Sequence, residues 1–310
     1  MKPIVVVGSI NMDLVSRVER IPRPGETLIG SLFEMHSGGK GANQAVAVAR
    51  LGYPSILLGA TGDDIFGHKL LKTLADFGVD ISNINIVQEP SGVATIVVNS
   101  AGENTIIVTP GANMQVTPAY LTTKREVLRN AGMVLAQLEI PIETVEWLAN
   151  ACAGYGVPFM LDPAPACTLP GSVLKNVTWF TPNQTEASFY SEQAKTSELT
   201  LTKLFQTGVV NVILKLGSEG AILATHDGIR DHVEAFSVDA LDTTAAGDGF
   251  NGAFAVGLMR GDTVVTSCRF AAAAAAICVT RRGAQSSLAS ETEVLSFLQS
   301  QLHTCASPAK

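Results

Sequence analysis

Residues 242–254 read "DTTAAGDGFNGAF". Two acids, Asp242 and Asp248, stand six apart with only small residues and threonines between them. Behind them Phe250, Ala253, Phe254, Gly257 and Leu258 mark one face of a helix that Gly261 ends. The stretch from Ala245 is therefore a loop running into a helix N-terminus, where backbone N–H groups lack intrahelical acceptors. Ala245, Ala246 and Gly247 carry little or no side chain, so an anion can approach those amides closely. Asp248 would repel such an anion, but it makes sense as a base that takes a proton from an attacking hydroxyl. An anion hole for a moving phosphoryl group with a base beside it describes a kinase for an alcohol. Taken alone, Asp248 reads equally well as a first-turn acid favoured by the helix dipole.

Four further stretches bear on that choice. "SGGKGANQAVAVARLG" (37–52) is a glycine-rich turn feeding a helix, with neither a dinucleotide fingerprint nor a Walker sequence. It sets Lys40 and Asn43 at a helix start, within reach of a ligand's hydroxyls. Asn11 and Asp13 in "GSINMD" follow the first strand, where α/β sheets bind ligands, and their mixed donors and acceptors suit a polyol. Each could singly be a turn residue. In "TPNQTEA" (181–187), Asn183 and Glu186 share a helix face if the helix starts near Pro182, and such an oxygen pair can hold magnesium through water. A capping arrangement explains that pair at least as well. "KLGSEGA" (215–221) is a strand end and glycine turn of the sort that backs onto nucleotide phosphates, or simply a tight turn.

The elements that must position these residues are legible in outline. Short apolar, β-branched runs recur at 4–8, 55–60, 133–138, 158–162, 179–183 and 209–217, as strands buried on both faces do. Helix-period segments lie between them. Ala42, Ala45, Val46 and Ala49 form one, stopping at Gly52; "IETVEWLANACAGYG" after Pro141 forms another, stopping at Gly154 or Gly156. The alternation predicts a doubly wound α/β fold with a mostly parallel sheet flanked by helices. Two segments break it, 25–39 and 92–113. The second reads as two strands around a "SAGEN" turn, and together the two are expected to form a small separate sheet serving as a lid or an interface. One domain over 1–310 with that lid is the simplest partition.

Composition removes other classes. The 310 residues are 46 % hydrophobic and 16 % charged, so the chain is globular. A net charge of −7 and a pI near 5.3 argue against nucleic-acid and anionic-membrane partners. Five cysteines without a Cys-x-x-Cys pair favour a reducing compartment over a disulfide framework or zinc site. The opening apolar run stops at Gly8, too early for a secretory segment. The Ala271–Ala276 run lies between Arg269 and "VTRRG" and reads as a packed helix, not a membrane span. A cytoplasmic location is expected.

"GSINMD", "GGKGANQA", "TPNQTEA", "KLGSEG" and "DTTAAGDGFNGAF" occur in the order seen in the ribokinase-like family of sugar and nucleoside kinases, and the chain resembles that family from about residue 4 to its C-terminal helix. The resemblance implies ATP-dependent phosphorylation of D-ribose at O5, with magnesium required and potassium activating. It makes Asp248 the base and the amides at 245–248 the anion hole. Asn11, Asp13, Gly39, Lys40, Asn43 and Glu139 would contact the pentose. Lys215, Gly217, Ser218 and Gly220 would line the ATP site, with Asn183 and Glu186 near the phosphates and magnesium. Asp242, Thr244, Cys278, Arg281, Gly283 and Ser287 would hold the potassium ion through side-chain or carbonyl oxygens. A lid formed by about 14–38 and 92–110 would build a homodimer.

The sequence departs from the family's pattern at three positions. Gly249 removes a hydroxyl from the first turn after the base, Met12 stands where a small residue is common near the sugar pair, and Ala272 withdraws a polar contact to the adenine. Phosphorylation of 2-deoxyribose, fructose or a nucleoside is the nearest rival reading, and a non-catalytic sugar sensor on the same fold is a more distant one.

Overall fold

Alternation along the first strand sets the layering of the molecule. In the computed structural model, which describes residues 1–305 and side chains through Gln301, the strand Ile4–Val7 is wholly buried. Ile4 and Val6 pack into one apolar core, Val5 and Val7 into another on the opposite face of the sheet. Covering both faces requires helices on both sides, and the sequence supplies them between strands.

Among the described residues the main sheet has eight strands. Asn211–Lys215, Trp179–Phe180, Phe159–Leu161, Met133–Ala136, Ile4–Val7 and Ser55–Leu58 run parallel in that spatial order. Ala221–Thr225 and Arg230–Val233 extend one edge antiparallel. The sequence pattern does not announce this pair, since "RDHV" is polar and mostly exposed at the sheet's edge. The strand expected over 179–183 keeps only Trp179–Phe180, because Pro182 has no N–H to give and Asn183 caps the next helix.

A smaller accessory sheet stands apart, in the order Leu32–Gly38, Asn11–Arg17, Gly92–Val98, Asn104–Thr109. The "SAGEN" hairpin forms as expected, with Asn99 Oδ1 accepting the N–H groups of Ala101 and Glu103. The sheet already starts at Asn11, and residues 25–31 form no strand in it. Because side chains alternate along Asn11–Arg17, Asn11 and Asp13 lie on one face while Met12 turns into the main core, fully buried. Met12 is therefore a core residue and does not crowd that pair.

Two close approaches position the chemistry. The helices Lys40–Arg50 and Ala246–Arg260 touch at Gly252, where a Cβ would come within 2.6 Å of Ala47 Cβ and 3.2 Å of the Gln44 carbonyl. At the other end of the first helix a Cβ on Gly41 would lie 2.6 Å from Gly8 Cα. Glycine at both points lets the helix lie directly on its neighbours. The alanine run falls in the helix Val264–Val279, largely buried against Ala246–Arg260. Among the described residues no helix is long and apolar enough to cross a membrane.

Candidate active site

The helix Ala246–Arg260 begins as its sequence predicts. Ala245, its N-cap, is left-handed with φ 59° and ψ 6°, a conformation that costs a non-glycine residue about 1–2 kcal/mol. The Gly249 N–H donates to the Ala245 carbonyl at 2.8 Å, the first bond of the helix, so the amides of residues 246–248 precede the helical ladder. The Ala246 amide makes a long 3.3 Å bond to the Thr243 carbonyl. Gly249 is tight against Leu288, whose Cδ2 would lie 3.1 Å from an added Cβ.

Asp248 turns inward and is only 5 % exposed. Asn43 Nδ2 donates to its Oδ2 at 2.9 Å and Gln44 Nε2 to its Oδ1 at 3.2 Å. Gln44 Nε2 also donates to Asp162 Oδ2 at 3.1 Å, and Lys215 Nζ pairs with Asp162 Oδ1 at 3.0 Å. Gln137 Nε2 donates to Gln44 Oε1 at 2.7 Å, which points both Gln44 hydrogens at the two carboxylates. Sequence reasoning missed Gln44, Asp162 and Gln137. Two signals were available: Asp162 closes an apolar strand run, at the carboxyl end where α/β sheets bind ligands, and Gln44 is a polar residue inside an otherwise apolar helix face.

This crowding sets the electrostatics. Burial pushes the Asp248 carboxyl up to about 6; Lys40 opposes the shift and Asp162 reinforces it. Burial would lower Lys40, but Asp248, Asp162, Glu139 and Glu186 together outweigh it and push the ammonium up, so Lys40 stays charged. Asp13 is raised to about 7 by burial, then by Glu139 and Asp248. Glu139 Oε2 accepts Ser9 Oγ at 2.5 Å, Asn11 Nδ2 at 3.3 Å and the Lys40 amide at 3.4 Å. Gly39, with φ 89°, is the N-cap of the Lys40 helix. Asn11, Asp13, Gly39, Lys40, Asn43 and Glu139 thus gather beside Asp248. Among the described residues Asn43 Oδ1 is buried without a partner, an acceptor of the kind a ligand hydroxyl satisfies.

A cavity of about 490 Å³ opens on the other side of the Ala246–Gly247 turn. Lys215, Gly217, Ser218 and Gly220 line it, and Phe250, Ala272, Ala275, Ala276 and Val279 make an apolar wall suited to a flat base. Ala272 presents only its methyl group there.

Asn183 and Glu186 form a capping box instead of flanking one helical turn. The helix starts at Gln184, not near Pro182. Asn183 Oδ1 accepts the Glu186 amide at 2.9 Å, and Glu186 Oε2 accepts the Asn183 amide at 2.8 Å. Burial and then Asp162 raise the Glu186 carboxyl. A buried carboxylate with a second acid, Asp162, beside it makes a donor set that a divalent cation fits.

Asp242 is bound differently. Its Oδ1 accepts the Thr244 amide at 2.9 Å and Thr244 Oγ1 at 2.6 Å, and its Oδ2 accepts the Gly283 amide at 3.0 Å. Cys278 Sγ lies 3.6 Å from the Thr244 carbonyl and 3.0 Å from Ser287 Oγ. The fold therefore brings Asp242, Thr244, Cys278, Gly283 and Ser287 to one loop cluster. The Arg281 side chain points elsewhere, pairing with Glu293 at 2.6 Å, so only its carbonyl is a candidate oxygen. Burial alone would raise Asp242, but these hydrogen bonds and Arg17 hold it below the usual range, and an ionised carboxylate among loop carbonyls fits a monovalent cation.

Comparison with known proteins gives a consistent result. Residues 1–291 match the model of the pfkB family carbohydrate kinases. The chain is 41 % identical over 306 residues to a ribokinase of Schizosaccharomyces pombe, covering 94 % of this chain and 96 % of that one. It is 34 % identical over 301 residues to a deoxyribokinase of Salmonella typhi, covering 95 % and 98 %. The structure of an Arabidopsis thaliana ribokinase complexed with ribose and ATP superposes with a TM-score of 0.91 at 37 % identity, covering 96 % of this chain and 99 % of that one.

Proposed function

The chain belongs to the pfkB, ribokinase-like family of carbohydrate kinases and is an ATP-dependent phosphotransferase of that type; from that premise we propose that it phosphorylates D-ribose at O5. The observation that carries the reading is the setting of Asp248, buried at a helix start between the nucleotide-sized cavity and the polar cluster of Asn11, Asp13, Lys40, Asn43 and Glu139. Asp248 takes the proton of the ribose 5-hydroxyl as its oxygen attacks the γ-phosphorus. The bond from that phosphorus to the β,γ-bridging oxygen breaks, and ADP leaves with the electron pair. Amides at 245–248 receive the charge spread over the transferring oxygens. Lys215, Gly217, Ser218 and Gly220 hold the nucleotide.

Asn183 and Glu186 are the residues that would hold magnesium, through water, and the ion would supply charge neutralisation on the phosphates. Asp242 with the oxygens of Thr244, Cys278, Arg281, Gly283 and Ser287 would hold potassium and so stiffen the anion-hole loop. The accessory sheet, about 14–38 and 92–110, serves as lid to a single domain over 1–310. Leu32, Phe33, Ile106 and Ile107 on its strands are exposed, which supports a homodimer through that sheet. Four described cysteines are free, as suits a cytoplasmic protein.

The likeness to a deoxyribokinase favours one second reading, 2-deoxyribose as acceptor. ADP release from ATP with magnesium, measured with ribose, 2-deoxyribose, fructose and adenosine in potassium and then in sodium, tests both. A ribose preference that weakens in sodium is the expected result. Preference for 2-deoxyribose moves the acceptor but keeps the base. Tight ribose binding with no ADP formed favours a sensor.

A further inference from the structure

A chain of three amides runs from the backbone at the root of the accessory sheet to Glu139. The Ile10 N–H donates to Asn113 Oδ1 at 2.8 Å. Asn113 Nδ2 donates to Asn11 Oδ1 at 2.7 Å, and Asn11 Nδ2 donates to Glu139 Oε2 at 3.3 Å. Both ends of the chain fix its polarity. A backbone N–H can only donate, so the Asn113 atom facing it is oxygen; a carboxylate only accepts, so the Asn11 atom facing it is nitrogen. Asn113 is 1 % exposed and Asn11 2 %, and no water-facing alternative competes with this arrangement.

Asn113 also sits where the accessory sheet joins the main body. Asn11 opens one of its strands, Gly92 opens another, and Asn113 follows a third, Asn104–Thr109, in the turn Gly111–Gln115. A Cβ on Gly92 would lie 2.3 Å from both Asn11 Oδ1 and Asn113 Nδ2, so the two amides pack directly on that backbone. The turn is latched independently, through the Ala112 amide to the Pro90 carbonyl at 2.8 Å.

We propose that Asn113 is a specificity-determining positioning residue: by occupying the Asn11 carbonyl, it obliges Asn11 to present only N–H donors to the sugar. This rests on the sugar-kinase reading, in which Asn11 contacts the pentose, and it assigns the Asn11 donor to the ribose 2-hydroxyl. A donor facing that position donates to a lone pair of the hydroxyl and is left unpaired by a 2-deoxy sugar, so discrimination depends on which way the Asn11 amide points. Asn113 itself touches no ligand. It acts through Asn11.

Asn113→Asp conserves shape and the bond from the Ile10 amide, yet an ionised carboxylate cannot donate to Asn11. The Asn11 amide then lies between two acceptors, Glu139 and the new carboxylate, and loses the single orientation that aims its donor at the site. Ribose KM is expected to rise roughly 10–100-fold with a smaller change in kcat, ATP KM to stay unchanged, and the ribose-to-2-deoxyribose ratio of kcat/KM to fall. If the buried carboxylate prevents folding, Asn113→Leu, which likewise cannot donate, is expected to lower the same ratio. A folded variant with the wild-type ratio overturns the proposal and leaves the kinase reading standing. So does an equal rise in the ribose and ATP KM values, the mark of a merely structural pin. Should wild type bind pentoses without turnover, calorimetric affinities for the two sugars supply the ratio instead, and a folded variant that leaves it unchanged overturns the proposal. Wild type that neither binds nor phosphorylates either sugar overturns both readings.

Discussion

Asp242 and Asp248 are six residues apart and live in opposite electrostatic worlds. Asp242 is half-buried and accepts from the Thr244 and Gly283 amides and the Thr244 hydroxyl, which hold its proton affinity low. Asp248 is buried among side chains, accepts from Asn43 and Gln44, and is raised to about 6 by desolvation and then by the neighbouring Asp162. Backbone amides stabilise a carboxylate readily because the loop must leave N–H groups somewhere. Burial and a neighbouring acid raise Asp248 toward neutrality against Lys40 and the Asn43 and Gln44 hydrogen bonds, and that poise is what a proton acceptor requires. The first acid is arranged to stay charged, the second to exchange a proton.

The strongest way to break this contrast is to remove the second acid. Asp248→Ala should lower kcat by roughly 10²–10⁴ with a much smaller change in ribose KM, read by steady-state ADP release. An unaltered kcat would remove Asp248 as base.

Next in size is the packing that delivers Asn43 and Gln44. Gly252→Ala places a methyl group 2.6 Å from Ala47 Cβ and forces the two helices apart. A stability loss of about 1–3 kcal/mol by denaturant titration and a roughly tenfold or larger fall in kcat are expected. Full activity would mean that the helix contact does not control the base.

The pH dependence sharpens the comparison. Asp248 is raised to about 6, so its ionised form is lost as pH falls through that value, and kcat/KM should drop on an acid limb near pH 6. Lys40, Asp162, Asn43 and Gln44 are the groups acting on it. Asp162→Asn removes a negative charge and releases Lys215 from its pair; both changes favour ionised Asp248, so the limb should move to lower pH. Asp242→Asn should leave the limb in place, while lowering activity through the loop. A limb that moves with Asp242 and not with Asp162 would reverse the assignment.

The smallest effect is expected at Ala245. Glycine adopts φ 59° without the cost that alanine bears, so Ala245→Gly should raise stability by up to about 1 kcal/mol and change kcat little. Thermal unfolding checks it.

Much of the architecture is legible along the chain, because its signals are local. The buried strand runs, the "SAGEN" hairpin and the helix start at Ala246 depend on residues within a few positions of one another. The edge hairpin Ala221–Val233 is not legible, since a polar strand on a sheet edge lacks the apolar pattern that marks a buried one. A helix start near Pro182 is too early because spacing alone does not separate a cap from a first-turn residue, and only the reciprocal bonds of Asn183 and Glu186 decide it. Asp162, Gln44, Gln137 and Asn113 escape for a different reason. Each is an ordinary residue in its own stretch and gains meaning from a partner about a hundred residues or more away.

What the sequence determined by itself is the set of elements and the small-residue turn with its acid, because backbone sterics, hydrophobic period and unsatisfied helix-end amides act over a few residues. What only the tertiary structure decided is which carboxylates are poised and which amides point where. Proton affinity depends on burial and on charges within a few ångströms, and an amide's direction on a donor at its far end. For Asp248 those neighbours come from Lys40, Asn43, Gln44 and Asp162, and for Asn11 from Asn113. None of them is near in sequence, and the glycine contacts at Gly41 and Gly252 let them meet.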